Sequence, residues 1–368
     1  MERFMVRYRL SGDEAEAYEK ACDICLEQTV EFPGELIPPG FIKDQVVGRI
    51  EDFRPAGAGG FSALVSFAAD TAAAEFTQLL NVVFGNISIK PGYRVEDLIL
   101  PDSMLKRFKG PRWGRTGLRG RVKVEGRPLL FSALKPMGLS SQELAELAYK
   151  LALGGIDLIK DDHGLTDQSY APYHERVRLC AQAVARANQE TGWSCIYLAN
   201  ISAPHHQVLE RAYYAREQGA GGLLIAPGLV GFDTMRTVAD DKNVDLPLIA
   251  HPAWLGTYVM SPLHGISHRT LFGQLVRLAG ADGTVYPNFG GRFSFSREEC
   301  LSIVAGTEQP LGGLKEIFPC PGGGMSVDTI PEMSEFYGSE VAFLIGGGLF
   351  KKGPDIVENC RYFRSLVE

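Results

Sequence analysis

Residues 154–163 read GGIDLIKDDH. An apolar run enters from two glycines and ends in a lysine, two aspartates and a histidine. A buried strand that stops in four ionisable residues is delivering them to an edge. Residues two apart in a strand share a face. Lys160 and Asp162 therefore point together, Asp161 is turned away, and His163 lies just past the strand end, able to bend back. Aspartate and histidine are donors for a divalent metal. An uncharged Lys160 amine beside them can react with CO2 to give a carbamate, an anionic oxygen donor. The same residues also read as an ordinary Lys–Asp ion pair at a strand end.

Outward from this stretch the second part of the chain is periodic. Short apolar runs recur at 128–134, 154–160, 195–200, 221–227, 246–251, 282–287, 316–320 and 341–348. Helical patterns such as SSQELAELAYKLAL and YHERVRLCAQAVARANQET lie between several of them. Eight β units in about 250 residues match a (β/α)8 barrel, with a doubly wound sheet as the alternative. Residues 1–118 mix strands and helices without regular alternation and read as a smaller α+β, ferredoxin-like domain. In it, 3–10, 44–53 and 61–67 read as strands, 11–29 as a helix, and a second helix starts at Thr71. The basic, glycine-rich stretch 106–127 reads as a linker or solvated surface, and 119–368 as the barrel.

Barrel enzymes work at the C-terminal ends of their strands. Those ends carry Lys135, then Lys160 to His163, Asn200, His251, and two glycine runs, 322–324 and 346–348. Glycines after the seventh and eighth strands let backbone N–H groups approach an anion, the usual phosphate position in such barrels. Gly322, Gly323, Gly324, Gly346 and Gly347 are the expected phosphate contacts. His251 reads as an acid–base candidate or a hydrogen-bonded structural histidine, and His205 and His206 as surface residues.

The chain has 368 residues, 45% hydrophobic and 22% charged, with a net charge of −7. That balance suits a globular enzyme and argues against nucleic acid or an anionic membrane as partner. Of seven cysteines, only Cys22 and Cys25 are close, within a helical pattern and without a second pair for zinc. The first ten residues read as a strand rather than a signal peptide, and no apolar run approaches the ~20 residues of a membrane span. A cytoplasmic setting with free thiols is expected.

GGIDLIKDDH resembles the carbamylated-lysine and metal-ligand motif of ribulose bisphosphate carboxylase (RuBisCO), and RPLLFSALKPMGLS (127–140) resembles that family's first barrel strand with its catalytic lysine. LEQTVEFP and VVFGN fall where the family places a glutamate and an asparagine that reach the partner subunit's site, here Glu27 and Asn86. The resemblance covers nearly the whole chain. It implies one Mg2+ per site held by carbamylated Lys160, Asp162 and His163, Lys135 and His251 in catalysis, Asn200 among the substrate contacts, and a homodimer with shared sites.

The departures matter as much. KPMGLS is shorter than the family's KPKLGLS and lacks its second lysine. His163 stands where a glutamate is usual, and Pro252 follows His251 where an arginine does. Arg292 replaces the lysine that orients CO2 after the sixth strand. The histidine and serine of strands six and seven are missing, with Val285 or Tyr286 and Gly322 nearby. The resemblance is thus to RuBisCO-like proteins, which enolise without carboxylating. It implies isomerisation of 5-methylthioribulose 1-phosphate in methionine salvage. The alternatives are enolisation of 2,3-diketo-5-methylthiopentyl 1-phosphate, decarboxylation or C–C cleavage of a 3-oxo sugar-acid phosphate, and a non-catalytic scaffold. In the enolase branch a lysine takes the Asn86 position, so Asn86 weighs against that reading. The carbamate, Lys135 and His251 are all open as the base.

Overall fold

The structure is a computed structural model that describes residues 1–57, 59–291, 293 and 295–368. Two compact units are formed. One is Met1–Phe108 with Leu255–Leu275 and Pro310–Gly313, and the other is Lys109–Trp254 with Val276–Gln309 and Leu314–Glu368. The division falls ahead of the expected 118/119, and two later segments join the N-terminal unit.

In the N-terminal unit, β1 (Arg3–Ser11) runs antiparallel between β3 (Gly60–Ala68) and β4 (Tyr93–Ile99), and β2 (Arg49–Ala56) extends β3. Phe4, Val6, Tyr8 and Leu10 alternate inward on β1. The helix Glu14–Glu27 starts at Asp13, whose side chain and Glu16 form a capping box, and it buries Ala17, Ala21, Ile24 and Cys25. The expected strand 44–53 begins only at Arg49, because Ile42–Val46 form a helical turn. The second helix begins at Phe76 rather than Thr71, after a short turn at Ala69–Ala72. Gln28 ties the helix ends together: its Nε2 donates to Asn81 O (2.7 Å) and Val82 O (2.9 Å), and its Oε1 accepts from Ile87 N (3.1 Å). A fifth strand, which the sequence pattern did not reveal, arrives from far along the chain. The two-residue β10 (Gly265–Ile266) pairs parallel with β4, after the barrel's fifth strand.

The second unit is the (β/α)8 barrel. Its parallel strands are β5 (Leu129–Leu134), β6 (Leu158–Asp161), β7 (Ile196–Asn200), β8 (Gly222–Ile225), β9 (Leu248–Ala250), β11 (Gly283–Pro287), β12 (Phe318–Gly322) and β13 (Ala342–Leu344). β13 pairs with β5, and Gly322 of β12 lies against Leu344 of β13, which closes the ring. Inside, Leu129, Phe131, Leu158, Leu198, Leu224, Ile249, Val285, Phe318 and Leu344 form one apolar cluster. That cluster sets the phase of every strand. With a period of two, an inward Leu158 puts Lys160 and Asp162 on the inner face, an inward Phe131 does the same for Lys135, and an inward Ile249 for His251.

The basic stretch is not a linker. Gly114–Val122 is a helix, and its Leu118 and Val122 join the barrel's inner cluster at the N-terminal ends of the strands. Its arginines are used internally. Arg115 is buried and pairs with Glu308 and Glu316, both at 3.5 Å, and Arg119 pairs with Glu340 at 3.0 Å. At the same end, Asp157 just before β6 accepts both Arg127 terminal nitrogens (2.8 and 2.9 Å) and Leu130 N (2.8 Å). No helix among the described residues is long and apolar enough to cross a membrane, and all seven cysteines are unpaired.

Removing one member of a buried ion pair leaves the other charge without compensation, at a cost of about 3–5 kcal/mol. Asp157→Ala should lower unfolding stability by that amount in urea, while the residues at the far ends of the strands keep their places. A loss under 1 kcal/mol would show that Arg127 finds another partner or water.

Candidate functional site

Five of the expected residues converge at the C-terminal ends of the barrel strands. Lys160 is 2% exposed, and its Nζ donates to Asp161 O at 3.0 Å. Lys135 Nζ forms an ion pair with Asp162 Oδ1 at 2.6 Å, and His163 Nδ1 lies 3.5 Å from the same oxygen. The His163 ring stacks on His251, with centroids 4.3 Å apart and planes 12° from parallel. Lys135 and His163 are partly exposed, so the group opens outward from a buried floor at Lys160.

The electrostatics follow from this packing. Burial pushes the Lys160 ammonium down to about 8; the Lys135 cation acts in the same direction, while Asp162 and Asp161 oppose it. Burial alone would raise Asp162, but its hydrogen bond with His163 and the Lys160 and Lys135 charges hold it far below the usual carboxylate range. Burial, helped by the Lys160 and His163 charges, holds His251 well below an ordinary histidine. His251 is thus a neutral imidazole at pH 7. Its Nδ1 accepts from Ala253 N (3.2 Å), which leaves the ring proton on Nε2.

On the reverse face of β6, Asp161 is fully buried. Its Oδ1 accepts from Tyr197 Oη (2.7 Å), and its Oδ2 accepts from Asn200 N (3.0 Å) and Arg176 Nε (3.3 Å). Arg176 also donates to Ala171 O and Thr166 O, fastening the loop after β6. Sequence reasoning missed Arg176 and Tyr197. The signal available was the phase itself, since an aspartate turned away from the mouth into the barrel wall needs donors there.

Asn200 is placed differently from the expected substrate contact. Its Nδ2 donates to His163 O (3.0 Å) and Leu165 O (2.9 Å), and its Oδ1 accepts from Ser202 N (3.1 Å). The amide is spent on the chain's own backbone. Gly322 ends β12, Gly323 and Gly324 follow it with positive φ, and Gly346 and Gly347 follow β13. The two loops touch, since Gly348 packs against the Met325 carbonyl, and Gly346 lies beside the Lys135 stem. Arg292 falls outside the described residues. Glu27 and Asn86 come together within the N-terminal unit, where Asn86 Nδ2 donates to Glu27 Oε1 at 3.0 Å and Lys90 pairs with Glu27 Oε2 at 3.1 Å. His205 and His206 lie at the surface, near Thr234 and Gln207.

Among the described residues no three His, Cys, Asp or Glu side chains are gathered as a metal site. Asp162 and His163 supply two donors. A third is within reach only through Lys160, whose buried amine is neutral in a large fraction of molecules near pH 8. A neutral amine is the form that combines with CO2, so this donor set fits a divalent ion once Lys160 is modified.

A closed parallel barrel with lysines, carboxylate and imidazoles at its C-terminal mouth defines a (β/α)8-barrel enzyme site. The chain belongs to the RuBisCO large-chain family: residues 116–354 match the ribulose bisphosphate carboxylase large chain, catalytic domain. It is 37% identical over 368 residues to the 5-methylthioribulose-1-phosphate isomerase of Rhodospirillum rubrum, covering 100% of this chain and 96% of that one. It is 32% identical over 307 residues to the 2,3-diketo-5-methylthiopentyl-1-phosphate enolase of Geobacillus thermodenitrificans, covering 83% and 73%. The crystal structure of a RuBisCO-like protein from Rhodopseudomonas palustris superposes with a TM-score of 0.91 at 37% identity, covering 100% and 98%.

Lysine labelled with 13C at Cε reports protonation by NMR. The Lys160 signal should titrate near pH 8 rather than near 10.5. Because the Asp162 charge supports the ammonium, Asp162→Asn should move the midpoint lower still. An unmoved or higher midpoint in that variant would contradict the coupling.

Proposed function

We propose that the chain enolises and isomerises a phosphorylated ketose with a divalent metal and without fixing CO2, acting on 5-methylthioribulose 1-phosphate in methionine salvage. The carrying observation is the cluster of Lys135, Lys160, Asp162, His163 and His251 at one barrel mouth. It is supported by full-length similarity to the Rhodospirillum rubrum isomerase.

In this reading Lys160, as its carbamate, would hold one Mg2+ with Asp162 and His163. Bound there, the ion would polarise the substrate ketone and lower the cost of the enolate charge. Lys135 sits higher in the mouth than the buried Lys160 and, in its neutral amine form, takes the proton from the carbon beside the ketone. Neutral His251 donates a hydrogen bond from Nε2 to a substrate oxygen and keeps it oriented. Returning the proton at the neighbouring carbon completes the isomerisation. The backbone at Gly322–Gly324 and Gly346–Gly347 receives the phosphate. Arg292, with its planar fork, grips a substrate anion and cannot supply the compact ammonium that a CO2 site uses. Glu27 and Asn86 complete the site of the partner subunit in a homodimer.

The enolase reading rests on the relatives named for that activity, and Asn86 weighs against it. A direct comparison separates the readings. In D2O, 5-methylthioribulose 1-phosphate should take up deuterium beside its carbonyl and isomerise, faster after incubation with bicarbonate and Mg2+, and Lys160→Ala should remove the activity. Ribulose bisphosphate with labelled CO2 should yield no labelled phosphoglycerate. Exchange only with the diketo substrate would favour the enolase. CO2 release from a 3-oxo sugar-acid phosphate would favour the lyase, and inertness toward all of these the scaffold.

The shared site has its own test. Asn86→Ala and Lys160→Ala variants, each inactive alone, should regain part of the activity when mixed under conditions of verified subunit exchange. No recovery would place each site within one subunit.

A further inference from the structure

We infer that Asn200 is a positioning residue that holds the metal-binding turn in shape, rather than a group that touches substrate; this rests on the reading of Asp162 and His163 as ligands. The turn after β6 carries local bonds of its own, among them Thr166 N to Gln168 Oε1 at 2.9 Å. Leu165 N reaches back to Asp162 O at 2.9 Å, and His163 between them is the most exposed member of the cluster. From the neighbouring strand, Asn200 Nδ2 donates to the carbonyls of both His163 and Leu165, at 3.0 and 2.9 Å. Those carbonyls bracket Gly164, whose own carbonyl accepts from Gln168 Nε2 at 2.7 Å. A single planar NH2 group therefore fixes the two backbone points on either side of Gly164.

The amide is itself rigidly held. Asn200 is 1% exposed, its Oδ1 accepts from Ser202 N (3.1 Å), and its backbone N donates to Asp161 Oδ2 (3.0 Å). Asp161 is anchored in turn by Tyr197 and Arg176. The frame thus runs from the barrel wall through Asn200 to the peptide units flanking His163. With both amide hydrogens committed to the turn, Asn200 has no donor left to offer a substrate. Its contribution is the placement of His163 relative to Asp162. Groups that orient metal ligands typically carry a 10–100-fold effect on metal affinity.

The same strand supplies a matched control. At the opposite end of β7, Asn188 clamps Cys195 in the same chemical way: Nδ2 donates to Cys195 O (2.8 Å) and Oδ1 accepts from Cys195 N (2.9 Å). Asn188→Ala and Asn200→Ala each remove one amide clamp, half-buried at Asn188 and buried at Asn200, from opposite ends of the barrel.

The test is Mn2+ binding to the full chain in bicarbonate, read by electron paramagnetic resonance, with thermal unfolding measured in parallel. Wild type should bind Mn2+ and Asp162→Asn should lose it. Asn200→Ala should bind about 10–100-fold more weakly, and Asn188→Ala should bind as wild type does although its melting temperature falls comparably. Asn200→Ser, which keeps one short donor, should fall between wild type and the alanine variant, and it serves where the alanine variant does not fold. Wild-type affinity in the folded Asn200 variants would overturn the positioning role alone. Equal weakening in Asn188→Ala would also overturn it, by showing general loosening. Absence of Mn2+ binding by wild type would remove the ligand reading and the positioning role together.

Discussion

The alternation of side chains along β6 is the constraint on which the site depends. An apolar Leu158 locked into the barrel interior leaves no choice for the residues that follow: Lys160 and Asp162 must face the mouth and Asp161 the wall. A slip by one position would bring Asp161 into the mouth and drive Lys160 among the helices. The wall side guards against this, because Asp161 finds three donors there that no other residue of the strand could use. The hydrophobic phase on one face and the hydrogen-bonded carboxylate on the other specify the same register.

That register also explains how groups with conflicting needs coexist. Lys160 lies on a dry floor, where its charge is disfavoured, while Lys135 lies nearer the opening and pairs with Asp162. One carboxylate faces two lysines and an imidazole, an arrangement with more cations than anions. Burial, together with this excess positive charge, suppresses protonation of His251. At the other end of the strands the polar groups are of another kind. Asp157, Arg127 and Arg115 are paired and buried, and they hold the barrel together away from the chemistry.

The strand tips were legible in the sequence because short apolar runs ending in polar residues carry both a period and a boundary. Lys135, Lys160, Asp162, His163 and His251 could be nominated on those grounds, and the structure brings all five together. What the sequence hid was long-range. Arg115 and Arg119 look like solvated charges until their glutamates arrive from nearly two hundred residues or more downstream. The two-residue β10 is too short to show a period. Asn200 sits where a substrate contact belongs, and only the three-dimensional path of the loop after β6 reveals that its amide is already taken.

The order in which the strands occur has a consequence for the chain as it leaves the ribosome. β1 to β4 emerge first, yet the outer edge of β4 is covered only when β10 appears, after five barrel strands have been made. The barrel in turn cannot close until β13 meets β5, so its first strand waits for its last. Neither unit can finish before most of the other has been synthesised. Until then an unpaired strand edge and the apolar inner faces of seven strands stand open to other chains. The nascent protein therefore passes through an interval in which surfaces later sealed inside the fold are open to aggregation, a hazard set by strand order and not by the stability of the finished fold.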